Sequence, residues 1–159
     1  MKILLPIDGS PVALAAVRHA LRCAAAGLES SYVLVNIQDP ATLYEVVVAH
    51  DSEALTALRR QAGSELLAPA ESLLEAAGAE YESEVAGGEP ANLLVELLEN
   101  YGCDAVVMGA RGMSDPESAG LGSVALALLH HSPVPVTVVR ADSMAALAQT
   151  GDEGLFEQA

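Results

Sequence analysis

Four times along the chain a short apolar run leads through a turn into a segment whose apolar residues recur every three or four positions, and a fifth apolar run closes the series. Such runs are strands buried on both faces and the segments between them are helices, so the pattern dictates an α/β fold: a mostly parallel sheet, helices on both sides, right-handed crossovers. KILLPI, residues 2–7, is the first strand, and in the DGSP turn after it Ser10 is placed to cap a helix that Pro11 opens and that runs to Ala26. SYVLVNI, residues 31–37, is the second strand. Leu55, Leu58, Ala62, Leu66, Leu73 and Leu74 mark a long helix from Ser52 to Ala77, which Pro69 should kink or split. EYESEV, residues 80–85, alternates acids with Tyr81, Ser83 and Val85, the pattern of an edge strand with one wet face. Pro90 opens a helix bearing Leu93, Leu94, Leu97 and Leu98, and CDAVVM, residues 103–108, is the fourth strand. A helix from Ser123 to His131 and a fifth strand over residues 134–139, VPVTVV, complete the series; residues 38–51 fit neither period and read as irregular.

A length of 159 residues with 52% hydrophobic residues suits one domain with a sizeable core, and only 3% aromatics makes that core aliphatic. The formal net charge is −15, and the seven basic residues cluster no further than Arg59-Arg60. Binding to nucleic acid or to an anionic membrane needs clustered positive charge, so neither is expected. The apolar run at the amino terminus is broken by Pro6 and Asp8, and no segment is long and apolar enough to span a bilayer, so the expected location is cytoplasmic. Cys23 and Cys103 lack CxxC or zinc spacing, the adjacent His130 and His131 point in different directions, and His19 and His50 have no partner in the sequence that argues for catalysis. Residues 141–159 hold four acids and little periodicity and read as a loose acidic tail after a domain of residues 1–140.

In an open parallel sheet, ligands sit beyond the carboxyl ends of the strands where the chain order reverses. Two loops qualify by composition: DGSP after the first strand and GARGMSDPESAGLGS, residues 109–123, after the fourth. These strands are therefore expected to be neighbours sharing one crevice. Gly109 and Gly112 allow backbone to approach a phosphate, while Gly122 and Ser123 begin a helix whose first N–H groups and positive dipole end attract an anion. The same spacing also fits a long turn with glycines for geometry and Ser123 as a helix cap. It is neither a P-loop, since Lys2 is the only lysine, nor the dinucleotide fingerprint.

The order Gly109, two residues, Gly112, nine residues, Gly122-Ser123, together with ILLPIDGS at the start, LVNI in the second strand and HHSPVPVTVVR at the end, resembles the universal stress protein family in its ATP-binding branch. The resemblance covers roughly residues 1–140. It implies a Rossmann-like five-stranded parallel sheet in the order 3-2-1-4-5 and a homodimer formed through the fifth strands, residues 134–139. Carried over by position, Pro6, Ile7 and Asp8 border adenine and ribose, the backbone of Ile37 meets the adenine edge, and Met108 with Gly109 forms the floor. Gly112, Gly122, Ser123 and Val124 hold the phosphates, with Arg111 the only nearby cation, unless that residue is simply solvated. Asp8 has a second reading as an Asx turn ahead of Pro11.

The expected ligand is thus ATP, or else ADP or AMP, with or without Mg²⁺ or Mn²⁺. One departure bears on it: the nine residues MSDPESAGL contain Asp115 and Glu117 and no base. A carboxylate about 6 Å from a phosphate charge costs roughly 0.7 kcal/mol in water and nearly 3 kcal/mol at an effective dielectric of about 20. Either these acids face solvent, or a divalent cation bridges them to phosphate, or the ligand carries fewer charges. The leading reading is a dimeric, adenine-nucleotide-dependent regulatory switch with protein partners of unknown identity. Its alternatives are a slow ATPase or a nucleotidyl- or phosphotransferase, and an interaction module that binds no nucleotide. No residue pattern supplies a catalytic base.

Overall fold

The computed structural model describes residues 1–40, 51–112 and 120–141. Five strands, β1 (Lys2–Pro6), β2 (Ser31–Gln38), β3 (Tyr81–Gly87), β4 (Ala105–Gly109) and β5 (Val136–Val139), form one parallel sheet in the order β3-β2-β1-β4-β5. Four helices, α1 (Pro11–Ala25), α2 (Ser52–Ala76), α3 (Pro90–Tyr101) and α4 (Ser123–His131), connect them. Alternate strand residues serve opposite faces. Ile3 and Leu5 of β1, Tyr32 and Leu34 of β2 and Val107 of β4 pack with α1 and α2. Leu4, Val33, Val35, Val106 and Met108 pack with α3 and α4. Burial on both sides is why these strands are unbroken apolar runs rather than alternating ones.

The sequence runs outward from β1 through β2 to β3, then returns past β1 to β4 and β5. β1 and β4 are hydrogen-bonded neighbours, with Ile3 opposite Ala105 and Leu4 opposite Val106. Their crossovers leave in opposite directions, and a crevice opens between their carboxyl ends.

Local chemistry sets the element ends, and in three places it overrides the periodicity. α2 runs unbroken through Pro69 instead of splitting there. The proline removes only the hydrogen bond to the Glu65 carbonyl, both residues lie on the exposed side, and Leu67, Ala70 and Leu74 hold the helix to the sheet. The buried stripe of α2 passes through Gly63, Leu67, Ala70 and Leu74, whereas Leu58 and Leu66 stay exposed. β5 begins at Val136 rather than residue 134, because Ser132 closes a turn on Val134 and Pro135 has no N–H to give a ladder. β3 lies at one edge of the sheet as expected, starting one residue later and ending two residues later than its alternation suggested, and its acids are engaged: Glu82 with Lys2, and Glu84 with the Tyr101 hydroxyl. No helix among the described residues is long and apolar enough to cross a membrane. Most of the irregular segment 38–51, most of the acidic loop after Gly112, including Asp115 and Glu117, and all but the first residue of the expected tail lie outside the described residues.

Candidate functional site

The site begins where β1 ends. The Ile7 N–H donates to the Val35 carbonyl at 2.8 Å, and buried Asn36 donates from Nδ2 to the Ile7 carbonyl at 2.8 Å, so the chain leaves the sheet in a fixed direction. Asp8 comes next. Its Oδ1 accepts the Ser10 N–H at 2.9 Å, which is the Asx turn, while the Ser10 Oγ accepts the Ala13 N–H at 3.1 Å and caps α1. The Asp8 carboxylate is therefore held by its own loop and presents its other oxygen, Oδ2, toward the loop after β4.

That second loop supplies the opposite wall. The Ala110 N–H donates to the Val139 carbonyl at 2.8 Å, and the Gly122 N–H returns to the Ala110 carbonyl at 2.7 Å, pinning the start of α4 beside the end of β4. The Arg111 Nε donates to the Gly120 carbonyl at 3.1 Å, tying together the two ends of the intervening loop. The three glycines have different tasks. A Cβ on Gly109 would stand 2.9 Å from Val12 Cγ1 and 3.1 Å from the Val12 carbonyl carbon, so Gly109 exists to let α1 lie against β4. A Cβ on Gly112 would stand 2.8 Å from Asp8 Oδ2, so this glycine makes room for the carboxylate. Gly122 has ordinary space around it, with nothing closer than 3.4 Å to a Cβ.

Ser10, Asp51 and Glu89 cap α1, α2 and α3 with their side chains. α4 begins on Gly122, which has no side chain to offer, and Ser123 is its first helical residue rather than its cap. The first-turn N–H groups of a helix have no intrahelical acceptor, so those of α4 are directed at whatever occupies the crevice.

All eleven residues singled out from the sequence line one cavity of about 380 Å³: Pro6, Ile7, Asp8, Ile37, Met108, Gly109, Arg111, Gly112, Gly122, Ser123 and Val124. The cavity grades from apolar and buried to polar and open. Ile7, Val35, Leu94 and Met108 are each at most 5% exposed at its inner end, whereas Gly120, Leu121 and Ser123 are exposed at its mouth. Among the described residues that line it, Asp8 and Arg111 are the only ionisable side chains and Ser123 carries the only hydroxyl. That set can bury a flat apolar ring at one end and hold an anion at the other. His19 Nε2 and Cys23 Sγ approach to 3.7 Å on α1, and His130 and His131 lie exposed at the far end of α4; none of these lines the cavity.

The sequence matches the Universal stress protein family over residues 1–140. The chain belongs to that family. Universal stress protein MJ0531 of Methanocaldococcus jannaschii is 31% identical over 139 residues, which cover 87% of this chain and 81% of the relative. The solved structure of hypothetical protein MJ0577 superposes with a TM-score of 0.73 at 27% identity, covering 87% of this chain and 94% of that one. A universal stress protein solved in complex with cAMP superposes with a TM-score of 0.65 at 25% identity, covering 87% and 96%. The strand order expected from the family resemblance is the order observed.

Sequence reasoning missed the third contributor to this universal stress protein cavity. Val35 of β2 and Pro90 and Leu94 of α3 complete its inner wall. The Gly87-Gly88 turn ahead of Pro90 was a usable signal, since every βα turn of a parallel sheet lies on the same, ligand-binding side. A resident metal finds little support. Among the described residues, no group of three or more His, Cys, Asp or Glu side chains gathers, and Asp8 is the only carboxylate lining the cavity.

Proposed function

We propose that this universal stress protein is a regulatory protein that binds an adenine nucleotide in the crevice between β1 and β4 and signals through the change in its loop and partner surface on binding. One observation carries the reading: eleven residues scattered over three strands, two loops and the start of α4 converge on a single cavity with an apolar inner end and an anion-attracting mouth. In this reading adenine occupies the inner end among Pro6, Ile7, Ile37 and Met108, and the phosphates lie at Gly112, Gly122, Ser123 and Val124 with Arg111 beside them. ATP is the form implied by the resemblance to the family's ATP-binding branch, with ADP and AMP sharing its base and sugar. The related protein solved with cAMP gives the same ligand class a precedent on this fold. A divalent cation would enter on the phosphates, because the described residues of the cavity lining contribute one carboxylate.

Residues 1–140 form the nucleotide-binding unit, and it acts as a homodimer. β5 is an outer strand of the sheet, and beside it α4 exposes Leu126 and Leu129, 48% and 47% accessible. Antiparallel pairing of two β5 strands would cover that edge and extend the apolar contact.

Thermal melting with and without nucleotide tests the reading. A ligand at a hundred times its dissociation constant adds about 2.7 kcal/mol of stability, a rise of roughly 5–11 °C for a domain of this size. Gly122→Glu, which puts a bulky anion at the phosphate position, should abolish that rise. The absence of a rise with ATP, ADP and AMP alike would remove the proposal.

A further inference from the structure

Asn36 interrupts the apolar run of β2 at a position only 2% exposed. A buried amide is destabilising unless both of its ends are bonded, and here they are. Nδ2 donates to the Ile7 carbonyl at 2.8 Å, and Oδ1 accepts from Gln38 Nε2 at 2.6 Å. A carbonyl can only accept, so the amide has one orientation. α2 packs directly over it, since a Cβ on Gly63 would stand 2.9 Å from Oδ1.

The ladder between β1 and β2 reveals what this bond replaces. Along β2 the main-chain groups alternate between neighbours. Ser31 donates to Met1 and Val35 accepts from Ile7 on the β1 side, while Tyr32 donates to Glu80 and Gln38 accepts from Gly88 on the β3 side. Odd-numbered residues thus face β1, and Ile37 is the next of them. In a ladder continued by one step, the Ile37 N–H would be the donor to the Ile7 carbonyl. Pairing instead stops at Pro6 and Val35, and among the described residues no backbone hydrogen bond joins Ile37 to the chain that follows β1. The Asn36 amide has taken the carbonyl. Ile37 is partly exposed and lines the cavity, so its N–H and carbonyl give the crevice a donor and an acceptor on one edge. The side chains around that end, Ile7, Val35, Leu94 and Met108, are apolar, which leaves this main-chain pair to read the edge of a ring.

We infer, resting on the adenine-nucleotide reading above, that Asn36 is a positioning residue for the adenine ring: its side chain satisfies the Ile7 carbonyl in place of the Ile37 N–H and so keeps the main chain of Ile37 open to the ring edge.

Hydrogen exchange of the full, isotopically labelled chain tests this without any substitution. The Ile37 amide should exchange at least about tenfold faster than that of Val35 inside the ladder, and saturation with AMP should slow it about tenfold or more. Asn36→Leu, close in volume, removes the donor. The Ile7 carbonyl should then recruit the Ile37 N–H, detected as a scalar coupling across the new hydrogen bond, and AMP affinity by isothermal titration should fall about tenfold or more. A merely structural Asn36 would lower the melting temperature without moving that coupling or the affinity. An Ile37 amide as protected as Val35 in the free, unaltered chain overturns the inference whether or not the variant folds. So does a folded Asn36→Leu protein that binds AMP as tightly as its parent, and both results leave the adenine reading intact. Failure of the unaltered chain to bind AMP, ADP or ATP would overturn the adenine reading and the inference with it.

Discussion

Gly109→Ala should damage the fold more than the binding site, although the glycine spacing invites the opposite expectation. The added Cβ would meet Val12 Cγ1 at 2.9 Å, the Val12 carbonyl carbon at 3.1 Å and the Ala13 nitrogen at 3.2 Å. The valine methyl can rotate away, but the other two atoms are backbone of the first turn of α1. That turn is fixed by its cap, since the same Ala13 nitrogen donates to Ser10 Oγ at 3.1 Å. Relief therefore requires the start of α1 to lift from β4, loosening buried Ala13, Ala16 and Val17. Overpacking of this kind costs about 1–3 kcal/mol, and a strained cap about 1 kcal/mol at most, so we expect about 2 kcal/mol and a Tm lower by roughly 4–8 °C. Urea unfolding followed by circular dichroism measures it, with an unchanged slope identifying a loss of native stability. Gly122→Ala is the internal comparison: its Cβ has 3.4 Å of room and its φ of −65° suits any residue, so it should cost less than about 1 kcal/mol. A Gly109→Ala protein within about 0.5 kcal/mol of the parent, or two glycines of equal cost, would refute the reasoning.

Hydrogen bonds to Glu75 and Glu84 hold the phenols of Tyr81 and Tyr101 in their protonated form and push both pKa values up from 10.0 to about 12. A folded-state pKa raised in this way stabilises fully below the unfolded value and is lost as pH rises through about 12, so an ultraviolet tyrosinate titration should show late-ionising phenols, and Glu84→Gln should bring Tyr101 back toward 10.0. Asn36→Ala strips the buried donor from the Ile7 carbonyl and should cost about 1–3 kcal/mol in urea unfolding; a neutral result would mean that the exit of β1 is held by its backbone alone. Burial pushes the Cys103 thiol up, so alkylation should spare Cys103 in the native protein and modify it once urea is added; fast native labelling would contradict the packing under α3 and α4.

The strands and the crevice were legible because their determinants are local. KILLPI, SYVLVNI and CDAVVM are apolar at consecutive positions, which only a sheet covered on both faces requires, and the cap at Ser10 and the opening proline at Pro90 announce their helices directly. What escaped depends on packing. Pro69 reads as a break until its lost hydrogen bond is found to face solvent, and the buried stripe of α2 runs through Gly63, which no hydrophobicity scale marks. Gly109 and Gly122 look equivalent in the sequence, yet one is set by the backbone of α1 and the other by the start of α4. Pro90 and Leu94 entered the cavity because α3 crosses from the edge strand to β4 over its inner end, a consequence of strand order rather than of any motif.

The most direct test of the central claim is residue-resolved: amide nitrogen–proton spectra of the labelled chain recorded through a titration with AMP. If the crevice between β1 and β4 holds the nucleotide, the amides of Asp8, Gly112, Ser123 and Val124 shift saturably along one binding curve, while those of Lys2, Glu82 and Tyr101 at the amino end of the sheet stay in place. Saturable shifts centred elsewhere, or none at any concentration up to the millimolar range that separates weak binding from no binding, would contradict it.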